Sequence, residues 1–199
     1  MSIPIFNSKN KLKSKLNHKL KLSPFSKSLT KSLVIAISGT PGTGKSTLAK
    51  ILVKKIKLYH LDLHHHYQEL AFSFNKKKDC YDLNLKKVEQ LLKQKIKEHP
   101  EGIVLDSHIA HLLSPKIISF CIILTCTDLK KLHQRLAQRH YHKEKIQENI
   151  EAEIFQVCLE EAQQKKHHLL IFDTSHNELK KLPSQNLILH KIIKFAKDL

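Results

Sequence analysis

The run SGTPGTGKST, residues 38–47, constrains this chain more than any other stretch in it. Gly39, Gly44, Lys45 and Ser46 match G-x-x-x-x-G-K-[ST], in which backbone amides wrap a polyphosphate and the lysine reaches its terminal phosphates. The context agrees. SLVIAIS before the loop is an apolar, β-branched run suited to a buried strand, and TLAKILVKKI after it repeats apolar residues at helical spacing. Strand, loop and helix thus come in the order that aims a helix N-terminus, with its aligned N–H dipoles, at an anion. Gly39, Pro41, Gly42, Thr43, Gly44, Lys45, Ser46 and Thr47 are the expected ATP-binding residues, with Lys45 as a point charge and Ser46 as a hydroxyl ligand for Mg²⁺.

The rest of the chain alternates in the same way. LVIAIS, KLYHL, GIVLD, KIISFCIILT and HHLLIFD read as five strands. Between them TLAKILVKKI, NLKKVEQLLKQKI, DLKKLHQRLAQRH and KEKIQENIEAEIFQVCLEEAQQKK read as helices, and PSQNLILHKIIKFAKDL as a last one. Alternation of this kind predicts right-handed βαβ units: an α/β P-loop three-layer sandwich with a five-stranded parallel sheet. Its ligand belongs at the carboxyl ends of the strands. FDTSH, residues 172–176, follows the last strand and is expected to approach the adenine.

Two further features point to phosphate chemistry. In IVLDSH an aspartate directly follows an apolar strand, so Asp106 is the candidate for Mg²⁺ or its water shell. His108 falls on the same side, as a satisfied loop histidine or as a polar group near the phosphates that titrates near neutral pH. Arg135 and Arg139 are the chain's only arginines, and their spacing places them on one face of a helix. Arginine offers a planar charged fork for phosphate oxygens that lysine cannot reproduce. The helix holding them runs into a short basic loop, the expected lid over a triphosphate. His64, His65 and His66 are consecutive and so do not converge on one metal; a solvated or phosphate-facing helix start is the reading here.

Charge divides the chain. The net charge is +17, and no acidic residue precedes Asp62. Residues 1–31 form a flexible basic extension in which Leu12, Leu16 and Leu20 would make a narrow apolar stripe if it became helical. Four readings stand: contact with RNA phosphates, an anionic membrane surface, a solvated tail in a lysine-rich protein, or a mitochondrial presequence, although presequences favour arginine. No apolar stretch reaches membrane-spanning length, and lysines interrupt every leucine near the start, which argues against a secretory signal. Cys80, Cys121, Cys126 and Cys158 form no C-x-x-C pair and read as buried reduced thiols, in keeping with a cytoplasmic setting.

GTPGTGKST, LDSH and QRLAQRHYHKEKIQENIEAEIFQVCLEEA together resemble the adenylate kinase isoenzyme 6 family. The resemblance spans roughly residues 33–199. Its most specific part is R-x-Y followed by K-x-x-x-N-I-x-x-E-I, here Arg139, Tyr141, Lys145, Asn149, Ile150, Glu153 and Ile154. Asp106 with His108, and Asp79 with Cys80, also look like family positions. The resemblance implies a nucleoside monophosphate kinase-like fold, with an acceptor-binding region about residues 62–85 and a short lid about residues 139–146. It also implies ATP, Mg²⁺ and AMP or another monophosphate as ligands, ATPase activity, a small-subunit ribosomal protein as partner and a role in maturation of ribosomal RNA. Lys45, Asp106, His108, Arg135 and Arg139 would carry the catalysis. The setting would be cytoplasmic, or nuclear in a eukaryote. This chain departs from the family twice: His140 replaces the usual glycine between the lid arginine and tyrosine, and no arginine lies between Lys45 and Arg135 to clamp a monophosphate.

Overall fold

The computed structural model describes residues 32–75, 80–176 and 182–198; the readings of residues 1–31 and of Asp79 lie outside them. The chain starts with β1 (Val34–Ser38), whose five residues are all buried. A strand apolar throughout belongs where both faces of a sheet are covered. After β1 come α1 (Lys45–Ile56), β2 (Tyr59–Asp62), a 3₁₀ turn (Leu63–His66), the short α2 (Tyr67–Leu70), and strands β3 (Ala71–Asn75) and β4 (Cys80–Leu83). Next are α3 (Leu85–Glu98), β5 (Ile103–Asp106), β6 (Phe120–Thr125), α4 (Leu129–Ala137), α5 (Lys143–Ile154), α6 (Val157–Gln164), β7 (Leu169–Asp173) and α7 (Leu182–Lys197).

Five of these strands build one parallel sheet in the order β2-β5-β1-β6-β7. They are the five read from the apolar runs. Alternate residues face opposite layers. Val34, Ala36, Leu61, Ile103, Leu105, Cys121 and Ile123 join one apolar cluster with Val88 and Leu92 of α3 and Ala162 of α6. Ile35, Ile37, Phe120 and Ile122 are buried too, and α1 and α7 bring Leu48, Leu52, Ile188 and Ile192 to the core. The Phe195 ring of α7 meets Phe120 edge-on at 5.4 Å. Each such apolar side chain contributes about 1.5–3 kcal/mol by leaving water, so the sheet is held independently of any ligand.

Two expectations need correction. The segment read as one helix over residues 143–166 is two, because Gln156 takes a left-handed conformation (φ +50°). Its side-chain amide donates to the Glu153 carbonyl at 2.7 Å, which occupies an acceptor at the end of α5 and offsets part of the strain. Antiparallel β3 and β4 also appear where the sequence showed no strand. Phe72 (71% exposed) and Phe74 (46%) lie on β3, so the brief alternation in AFSFN belongs to a hairpin outside the core and not to a strand of the buried sheet. The thiols are free as expected, but Cys80 and Cys158 are only half-buried, unlike Cys121 and Cys126. Among the described residues no helix is long and apolar enough to cross a membrane.

Candidate nucleotide site

At the end of β1 the chain leaves the sheet through Gly39, at φ +135°. A Cβ there would overlap the Leu124 carbonyl of β6, so a side chain would displace the loop. Gly42, at φ +91°, would press a Cβ to 2.9 Å from Leu132 of α4, which fixes how closely the loop approaches that helix. Next after Gly42, Thr43 closes the turn: its N–H and its hydroxyl both donate to the Thr40 carbonyl, at 3.3 and 2.8 Å. Pro41 is half-buried in the same loop. Gly44, at φ +101°, opens α1, and no side chain caps that helix start. Its first amides therefore keep their dipoles for an anion.

Lys45 lies across the mouth of this loop. Its Nζ donates to the Gly39 carbonyl at 2.8 Å and to the Thr40 carbonyl at 3.1 Å. Burial, with the positive charge of Arg139, lowers its pKa to about 8, while the negative charge of Asp106 pulls the other way. Ser46 and Thr47 are exposed at the start of α1. Asp106 is the last residue of β5, only 3% exposed, in register with Ile37 of β1 on one side and Asp62 of β2 on the other.

His108 takes part in two contacts. Its Nδ1 is 3.0 Å from the Tyr67 hydroxyl, and its carbonyl accepts the Ser38 hydroxyl at 3.0 Å. Desolvation in this cleft, followed by the charge of Lys45, pushes its pKa down to about 4. With its pKa that low, the ring is neutral at pH 7.

The two arginines are not on one helical face. Arg135 is in α4, but that helix ends at Ala137, and Arg139 belongs to a turn closed by His140 in the left-handed region (φ +58°). His140 thus adopts a conformation that glycine reaches without strain. Arg135 joins the phosphate loop to the FDTSH segment. Its guanidinium donates to the Thr174 carbonyl at 2.8 Å, the Thr174 hydroxyl at 3.3 Å and the Gly42 carbonyl at 3.4 Å. Thr174 is held in turn by the Thr125 carbonyl of β6, to which its N–H donates at 2.8 Å. Arg139 is exposed, and its charge is felt at Lys45.

The structure also brings together residues that sequence reasoning missed. Ser38 Oγ lies 2.6 Å from Nδ1 of His111, whose Nε2 lies 2.7 Å from Glu161 of α6. This chain of contacts ties the root of the phosphate loop to a helix far away in sequence. Burial lowers the pKa of His111, while the hydrogen bond and charge of Glu161 pull the other way. Glu153, quoted only as part of a pattern, is buried and accepts the Cys126 amide at 2.6 Å. Tyr141 and Ile150 pack against the cluster of Cys126, Leu132, Leu136 and Ile146, and Lys145 stands 4.8 Å from the Tyr141 ring centre. Much of the R-x-Y signature therefore anchors the segment after α4. Nothing in one sequence distinguishes such anchors from ligand-binding residues.

The segment expected from the sequence to bind an acceptor, about residues 62–85, is built from rings where it is described. Tyr67 stacks edge-on with His64 (5.1 Å), His108 (6.0 Å) and Tyr81 (6.2 Å), and Tyr81 meets Phe74 at 4.8 Å. His64 and His65 are exposed, as a solvated helix start requires.

A family model described as an AAA domain matches residues 35–156. A Schizosaccharomyces pombe protein named "Adenylate kinase isoenzyme 6 homolog" is 37% identical over 152 residues, covering 75% of this chain and 85% of that protein. A Caenorhabditis elegans protein of the same name is 33% identical over 132 residues, covering 65% of this chain and 72% of that one. In fold, the chain is similar to a shikimate kinase from Bacteroides thetaiotaomicron, with a TM-score of 0.54, 15% identity, and coverage of 83% of this chain and 98% of that structure. With a relative 37% identical across three quarters of its length, a parallel five-stranded sheet and the phosphate loop at its centre, this chain belongs to the adenylate kinase isoenzyme 6 family.

Proposed function

We propose that this protein is an ATP- and Mg²⁺-dependent nucleoside monophosphate kinase, with AMP as acceptor and ATP hydrolysis as an accompanying activity. The observation that carries this reading is the phosphate loop: uncapped helix amides behind Lys45, with Asp106 and Arg139 near enough to bear on that lysine's charge. ATP fits this cradle because Gly39 and Gly42 let the loop turn tightly against β6 and α4, and the loop amides suit polyphosphate oxygens. The Ser46 hydroxyl and the Asp106 carboxylate are hard oxygen donors of the kind Mg²⁺ takes, directly or through water. When bound, Mg²⁺ would neutralise charge on the β- and γ-phosphate oxygens.

The chain's own residues supply alignment and positive charge. Lys45 exchanges its loop carbonyls for phosphate oxygens. Arg139 adds positive charge from the turn after α4, and Arg135 keeps the cradle and the Thr174 loop at a fixed separation. In the reaction the γ-phosphorus breaks its bond to the bridging oxygen of ADP and forms one to a phosphate oxygen of AMP. The acceptor oxygen is already anionic, so no general base is required. His108, neutral and hydrogen-bonded to Tyr67, contributes a directional contact at the acceptor side.

A second reading has its own support. No arginine lies between Lys45 and Arg135, so the acceptor region lacks the usual fork for a monophosphate. That favours an ATP-switched assembly factor with little turnover of free AMP. In either case the setting we propose is cytoplasmic, or nuclear in a eukaryote, in small ribosomal subunit maturation. A ribosomal protein would be the partner, and the basic residues 1–31 would touch RNA. A coupled ADP-formation assay with and without AMP separates the readings: the kinase requires AMP to raise the rate, whereas the switch hydrolyses ATP at the same rate in both. Removal of residues 1–31 should lower the salt-dependent part of RNA binding, and unchanged binding would remove that assignment.

A further inference from the structure

The corner where β2 meets β5 sets His60 and Asp62, which the phosphate chemistry does not use, beside Asp106, which it does. His60 and Asp62 point to the same side of β2, and Asp62 is in register with Asp106 of β5. Nε2 of His60 is 3.6 Å from Oδ2 of Asp106. Both atoms are buried and neither has a hydrogen-bond partner. Two buried polar atoms left unsatisfied side by side are costly, and 3.6 Å is too long for a hydrogen bond. It does suit two ligands of one ion, because donors each about 2.0–2.2 Å from a shared cation lie roughly 3–3.5 Å apart. One ligand atom from each of His60, Asp62 and Asp106 falls within 4.8 Å of the others. No other group of three metal-ligating side chains meets that condition among the described residues.

We infer that His60, Asp62 and Asp106 form a binding site for a first-row divalent cation of the Zn²⁺, Co²⁺ or Mn²⁺ type, distinct from the Ser46 side of Asp106. The imidazole nitrogen selects against Mg²⁺, which prefers oxygen ligands and retains its waters. Sheet order separates the two positions. The phosphate loop follows β1, whereas His60 and Asp62 approach from β2, on the opposite side of β5. The two oxygens of the Asp106 carboxylate can therefore serve both. Asp62 is already oriented for this role, since its Oδ1 accepts the His64 amide at 3.0 Å and fixes the carboxylate at the strand end. Three protein ligands leave positions open for water or for an oxygen of a bound anion. The site is inferred from this corner alone and does not depend on the kinase reaction.

The test uses the nucleotide-free, full-length protein and Co²⁺ as probe. Titration should produce the visible d–d bands of a nitrogen- and oxygen-ligated cobalt ion and raise Tm by about 5 °C at saturation, whereas Mg²⁺ at the same concentration should do neither. His60→Ala should abolish the bands and weaken cobalt binding by more than the roughly 10–100-fold that follows loss of an outer partner. His60→Gln keeps the volume and serves if the alanine variant fails to fold. Asp62→Asn retains the oxygen that accepts the His64 amide but should also lose affinity. A His64→Gln, His65→Gln double variant should titrate like the wild type. The inference is overturned if cobalt gives no bands, if the His60 variants titrate like the wild type, or if the signal disappears with His64 and His65.

Discussion

The phosphate-loop side and the proposed acceptor side of this molecule stand next to each other at one end of the sheet, yet they are built on opposite terms. The loop grows out of β1, the central and wholly buried strand, and every turn in it is fixed by glycine geometry or by contacts to β6 and α4. The acceptor side hangs from edge strand β2, through a 3₁₀ turn, a single helical turn and a two-stranded hairpin with Phe72 exposed. One is backbone fixed by the sheet, aimed at the polyphosphate we propose it holds. The other is a surface of side chains, where a change of residue alters the ligand without disturbing the core. The contrast suggests that energy transfer and acceptor choice vary independently in this chain, and substitutions on each side are the means to test it.

The largest effect belongs to the loop. Lys45→Met should lower ATP turnover about 10³-fold, with Tm unchanged, as measured by ADP formation and thermal melting; a folded variant of normal activity would refute the cradle. Next, Arg139→Ala should cost roughly 100-fold in kcat at unchanged stability. Arg135→Ala should lose activity and also about 2 kcal/mol of stability, because it leaves Thr174 and Gly42 without their charged donor. Equal stability losses in both variants would remove the distinction between the arginine that positions and the one that faces the loop.

A pH titration sharpens the same comparison. The free protein holds Lys45 at about pKa 8, and bound polyphosphate must raise it. ATP affinity should be complete below pH 8 and fall about tenfold per unit above it, with proton uptake on binding visible by calorimetry in buffers of different ionisation enthalpy. AMP affinity should not follow that profile. The smallest effect lies on the acceptor side: Tyr67→Phe breaks the contact to His108, worth about 1 kcal/mol, and should raise KM for AMP roughly fivefold. Its ATP hydrolysis without AMP should remain at the wild-type rate. A loss there would show that the two sides are coupled.

How much was legible follows the same line. The five sheet strands could be read because each is an apolar run, and the phosphate loop because its spacing has one known use. Strands β3 and β4 escaped because they are short and form a hairpin outside the sheet, and the alternation of Phe72 with Phe74 covers only two apolar residues, both exposed. The end of α4 before Arg139 was hidden because a left-handed histidine at position 140 has no signature in a single sequence. The same holds for Gln156, which breaks one apparent helix into α5 and α6. His60 gave no signal either, since its partners come from other positions along the chain.

The sequence alone therefore determined the layered α/β plan, the place of the phosphate loop and the identities of its lysine and serine, because these rest on local spacing and burial pattern. Only the tertiary structure decided which residues meet across the sheet: Ser38 with His111 and Glu161, Arg135 with Thr174, and His60 with Asp106. Those pairs join residues tens of positions apart, and their contact depends on strand order and register. Both are settled when the whole core packs, so no short stretch of the chain encodes them.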